Sequence, residues 1–128
     1  MSQVRVTYPS LSRSEVIEKL RKARISLKGK LPVSRMILYG SYAQDRYTAG
    51  SDIDVIVAYA GKPREDAYKL VTDEVRLPRL EPKVYTEEQF NALIAANSRF
   101  AETLDKEGVM IPETAKGGKE WSREAGTG

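Results

Sequence analysis

The chain has 128 residues and a net charge of +3, from 21 Lys and Arg against 18 Asp and Glu, and it contains neither histidine nor cysteine. This length suits one domain around one core, and the missing side chains exclude disulfides, thiolate nucleophiles, zinc held by Cys or His, and imidazole acid–base catalysis. Any catalytic metal must rest on oxygen ligands, which favours hard cations such as Mg2+ or Mn2+.

The first third is basic. Residues 1–36 hold nine Lys or Arg against Glu15 and Glu18, a balance of +7 that leaves −4 for the remainder. Such a stretch is a solvated helix face or an attractor of phosphates or an acidic partner. Its opening residues lack the apolar core of a signal peptide. No apolar run approaches the roughly 20 residues of a membrane-spanning helix, so a cytoplasmic address is expected.

Along the chain, residues 12–28 predict a helix. Ser12 and Glu15 fit a capping box, Val16, Leu20, Ala23 and Leu27 recur at helical spacing, and Gly29 and Pro32 end it. VSRMILYG (33–40) predicts a strand closed by glycine, and a polar loop follows, with a short helix expected from Ser41. DIDVIVAY (52–59) predicts a strand apolar on both faces after its acids, as suits a covered, central position. A turn at 60–63 precedes a helix over 64–76. PRLEPKVY (78–85) predicts an edge or irregular strand because of Pro78 and Pro82. Thr86 and Gln89 offer a second capping box, opening one long helix over 86–108 with Phe90, Leu93, Ile94, Asn97, Phe100 and Leu104 as its stripe. VMIP (109–112) predicts a last short strand. The order implies an α/β (α+β) fold, a small mixed sheet of about three to five strands flanked by helices. The domain is expected over 1–112, with 113–128 a mobile, Gly-, Lys- and Glu-rich tail whose one large apolar residue is Trp121.

Asp52 and Asp54 carry the chemistry. Residues two apart on a strand project from the same face. Neighbouring carboxylates repel unless a positive charge lies between them. With no histidine and no arginine beside them in sequence, a divalent cation is their natural partner. An EF-hand loop would need further oxygen ligands where Val55, Ile56 and Val57 stand. An aspartate-nucleophile phosphatase would place its apolar strand before the acids. The remaining alternative is a pair of exposed acids capping backbone amides. Upstream, Gly40 permits close approach and Ser41 opens a turn whose amides carry partial positive charge, a seat for phosphate without the lysine of a P-loop.

GSYAQDRYTAGSDIDV (40–55) resembles the signature of the nucleotidyltransferase superfamily related to DNA polymerase beta, G-S-x-A-x-G followed by S-D-x-D. The short chain is similar to its minimal nucleotidyltransferases, which work beside a helical partner of the HEPN class. Gln44 and Asp45 stand where that family usually has a basic residue and then glycine, and Arg46 is the nearest replacement charge. The resemblance implies the nucleotidyltransferase fold and transfer of AMP from ATP to an acceptor hydroxyl. It implies Asp52, Asp54 and Glu81 as catalytic and metal-holding residues, with two Mg2+ ions (or Mn2+) about 3.5–4 Å apart. Gly40, Ser41 and Ser51 would bind nucleotide, with Ser51 orienting the loop. The implied acceptor is a tyrosine of a HEPN ribonuclease toxin, this chain being the antitoxin in a hetero-oligomer or as a homo-oligomer. A small-molecule acceptor such as an aminoglycoside, or neutralisation by contact alone, are the rivals. No membrane partner is expected. Nucleic-acid binding through the basic first third is a lesser possibility, marked by affinity that falls steeply with salt.

Overall fold

The computed structural model describes residues 11–48 and 50–113. The expectations placed on 114–128, including Trp121, lie outside these residues. Helix α1 spans Arg13–Leu27, strand β1 Val33–Tyr39, β2 Ile53–Tyr59, α2 Ala67–Val75, β3 Leu80–Thr86, α3 Glu87–Ala96, α4 Ser98–Glu107 and β4 Val109–Met110. The four strands form one mixed sheet in the order β3-β2-β1-β4. Strand β2 is antiparallel to β1 and parallel to β3, while β4 runs antiparallel to β1. This is the small mixed sheet that the chain order predicts, with β2 central and β3 at an edge, where Pro82 is tolerated.

The period-two pattern of the strands divides the core into two layers. Met36, Leu38, Val55, Val57 and Tyr59 face α1 and α2, meeting Val16, Leu20, Leu27, Val71 and Val75. Ile37, Ile56 and Ala58 face the other way and pack against Phe90 of α3 and Leu104 of α4. Strand β2 is therefore buried along its length except at Asp54. The first helix starts on the expected capping box: Ser12 accepts from the Glu15 amide and Glu15 accepts from the Ser12 amide.

The single helix expected over 86–108 is two. Thr86 and Gln89 form the expected box at the start of α3, but the helix stops at Ala96 and Asn97 caps α4, its Oδ1 accepting from the Phe100 amide at 3.2 Å. Asn97 is exposed and leaves the apolar stripe. An amide that can satisfy an open backbone N–H is neutral or worse within a helix and favoured at its start. The break bends α4 back over the sheet, so that Phe100 meets Tyr39 edge to face, with centroids 6.3 Å apart. Helix α2 is shorter than the expected 64–76, starting after Asp66, which pairs with Arg64 ahead of it.

One buried charge ties the ends of the layer together. Arg24 of α1 is 8% exposed and donates to the carbonyls of Ile111 at 2.7 Å and Ser34 at 3.2 Å. Its guanidinium thus fixes the chain leaving β4 against the chain entering β1.

Candidate active site

The sheet register assembles the site. Asp54 lies opposite Tyr39 on β1 and opposite Glu81 on β3, so the three form one row across three strands. Adjacent strands stand about 4.8 Å apart, and paired residues project to the same face. That face is the one that carries α3 and α4. Asp52 stands just ahead of β2, beyond the row, at the sheet's open end.

Burial pushes the Asp54 carboxyl above its ordinary value, the Asp52 and Glu81 charges push it further, and the Lys83 ammonium opposes them. The same burial, followed by the Asp54 charge, raises the Tyr39 phenol to about 12, so it is neutral at physiological pH. Asp54 thus feels two further acids, with the Lys83 ammonium as the opposing charge.

Gly40 closes the row from the other side. Its φ is +80°, and a Cβ built there would come within 3.3 Å of Asp54 Cγ and closer still to Oδ2. The glycine backbone therefore lies directly against the Asp54 carboxylate, an approach that any side chain would block. The following residues form hydrogen-bonded turns instead of the expected helix: the Gln44 amide donates to Gly40 O at 3.1 Å and the Arg46 amide to Ser41 O at 2.8 Å. Ser41 caps no helix, and its hydroxyl has no partner among the described residues. The loop is anchored by Tyr42, which stacks on Tyr47 at 4.2 Å and donates to Leu11 O at 3.1 Å. Asp45, in the place where glycine is usual, has φ 61°, a left-handed conformation that Asp tolerates better than most residues. Arg46 donates to Gln44 Oε1.

Ser51 faces its own loop. Its hydroxyl accepts from the Thr48 amide at 2.8 Å, and its amide donates to Thr48 O at 3.1 Å. This pins the turn that precedes Asp52.

Arg79 adds a neighbour that the sequence order does not show. No cation neighbours the aspartates in sequence, yet Arg79, at the entry of β3, lies 3.4 Å from Asp52 Oδ1. The parallel register brings it there: the Ile53 amide donates to Arg79 O at 2.8 Å. The signal in the sequence is the alternation R-L-E-P-K over 79–83, which places a cation two positions to either side of Glu81. Both partners are half-exposed, so the pair contributes little to stability.

Among the described residues no three acidic side chains are gathered closely enough to form a metal site by themselves. The donor set nonetheless fits Mg2+, which takes one or two carboxylates and completes its shell with water and substrate phosphates. Asp52 and Asp54 would hold it beside the Gly40 backbone, with Glu81 next in the row.

Residues 17–107 match the family model of the nucleotidyltransferase domain. The chain belongs to this family. Among curated proteins the nucleotidyltransferase is 44% identical over 46 residues to a Methanocaldococcus jannaschii protein named "Putative protein adenylyltransferase MJ0126", covering 36% of this chain and 47% of that one. It is 46% identical over 46 residues to a second protein of that name and organism, MJ1379, covering 36% and 46%. The matched stretch spans about half the length of these relatives. Among solved structures the nucleotidyltransferase superposes on a toxin-antitoxin with AMP-PNP at a TM-score of 0.51 and 19% identity, over 84% of this chain and 82% of that one. That likeness is one of fold.

Proposed function

We infer that the chain transfers AMP from ATP to a hydroxyl of a partner protein, a tyrosine of a HEPN-type ribonuclease toxin that the transfer silences. The observation that carries this reading is the Gly40 backbone lying against Asp54 in a row that continues to Glu81. Glycine at position 40 keeps side-chain atoms away from the Asp54 carboxylate. The names borne by the relatives, protein adenylyltransferase and toxin-antitoxin, favour a protein acceptor over a small molecule.

In the reaction the acceptor oxygen attacks the alpha phosphorus, the new P–O bond forms, and pyrophosphate leaves. The chain's contribution is position and charge. Bound Mg2+ would supply neutralisation of the phosphate charge and acidify the acceptor hydroxyl. Gly40 and Ser41 would seat the outer phosphates. Asp52 and Asp54 would hold that Mg2+, since bare carboxylates repel a phosphate, and Glu81, opposite Asp54 on β3, would receive the acceptor's proton. Tyr39, neutral and packed on Phe100, closes the row without adding charge.

Incubating the purified chain with a HEPN-type partner, ATP and Mg2+, then weighing both proteins, identifies the acceptor. A partner heavier by one AMP on a tyrosine supports the reading. Label that appears only on an added aminoglycoside, or on nothing, contradicts it. A second reading, neutralisation by contact alone, is favoured by the Arg79–Asp52 pair and by Gln44 in place of a basic residue. It predicts that an Asp52→Asn/Asp54→Asn double variant still neutralises the toxin.

A further inference from the structure

We propose that Arg79 is a nucleotide-binding residue that holds Asp52 while the site is empty and turns to the triphosphate when nucleotide arrives. The inference rests on the functional reading above and adds to it the cation that the loop itself lacks.

Three observations carry it. The position that usually supplies a basic residue to the phosphates is Gln44, and the nearby Arg46 donates to that Gln44 side chain. Among the described residues Arg79 is the cation within ion-pair distance of Asp52, 3.4 Å from its Oδ1. Its own backbone is left-handed, with φ 59°, a conformation uncommon for a residue with a side chain and concentrated at functional sites. The backbone of Arg79 is fixed from β2, where the Ile53 amide donates to its carbonyl. Only the side chain is left to move, and it is half-exposed.

The chemistry follows from what each partner offers. A half-exposed Asp–Arg pair is weak and easily exchanged. A guanidinium meets phosphate oxygens in bidentate geometry, and such charge-assisted bonds are stronger than the pair given up. Asp52, once released, is free to take a divalent cation. One side chain therefore quiets the acids in the empty site and answers the phosphate charge in the filled one.

Binding to the isolated chain tests this without any acceptor. Mn2+ binding is followed by its EPR signal, and Mg2+ with a non-hydrolysable ATP analogue by calorimetry, for wild type, Arg79→Ala and Arg79→Gly. The glycine variant suits the left-handed backbone and separates strain from charge. Both variants are expected to bind the analogue at least about tenfold more weakly, the loss of one charge-assisted hydrogen bond. Mn2+ affinity without nucleotide is expected to stay level or to rise. Analogue affinity equal to wild type in either variant, or analogue and Mn2+ weakened together, would overturn the role of Arg79. Wild-type chain that binds neither probe would instead overturn the functional reading on which it rests.

Discussion

Gly40 lies against Asp54, its backbone so close that a methyl group there would collide with the carboxylate. The residue that turns the chain out of β1 and the acid that opens β2 therefore share one small space, and the antiparallel register of the two strands puts them there. Replacing Gly40 by Ala forces a left-handed backbone on a residue that resists it and pushes the methyl into Asp54. We expect Gly40→Ala to lose about 1–2 kcal/mol of stability in urea unfolding from the backbone alone and to lose transfer activity. A variant with wild-type turnover would show that the close approach is incidental.

Removing the Asp54 charge should not weaken the metal-free protein. Its folded carboxyl titrates above its ordinary value of 3.8, so between the two values the folded chain binds more protons than the unfolded one. This contribution favours folding below 3.8 and is lost as pH rises through the folded value. Asp54→Asn removes that loss. Its stability relative to wild type should therefore climb as pH rises from 3.8 and then level off, as measured by chemical denaturation with chelator present. A variant that falls further behind with rising pH would contradict the burial and neighbouring negative charge that raise the Asp54 carboxyl.

Asn97 ends one helix and begins the next through a single bond to the Phe100 amide. Asn97→Ala should cost about 1 kcal/mol, as N-cap losses do, with activity little changed because the residue is exposed and contributes no side chain to the row of acids. A midpoint equal to wild type would mean that packing of Phe100 on Tyr39 holds the break by itself.

Arg24 satisfies carbonyls of β1 and of the chain after β4, and its guanidinium is almost wholly buried. Arg24→Ala leaves these acceptors unpaired and should cost about 3 kcal/mol, in the range for breaking a buried charged contact. Arg24→Lys should recover only part, since one ammonium cannot span the fork. Full recovery by lysine would show that charge rather than the fan of hydrogen bonds matters.

Much of this architecture was legible in the chain. The two capping boxes, the covered strand after Asp54 and Pro82 on an edge strand each follow from local chemistry, and the structure has them, while the expected start at Pro78 moves to Leu80. Asn97 was harder: its spacing fits the stripe of Phe90 and Phe100, and the period does not register that an amide prefers to cap. At Ser41 hydrogen-bonded turns replace the expected helix, with Asp45 left-handed at their end. Glu81 could be placed on a later strand, but that it stands opposite Asp54 depends on a parallel register set across an intervening helix. Arg79 was hidden for the same reason, being far from Asp52 in sequence and adjacent only once β2 and β3 align.

The row of acids beside the glycine backbone is the feature on which the account stands, and transfer of label from ATP marked at the alpha phosphate tests it most directly. With Mg2+ and the partner present, the wild-type chain should deliver label to the partner protein. Asp54→Asn, with its fold verified by circular dichroism, should deliver none. Equal labelling by the two chains would contradict the account.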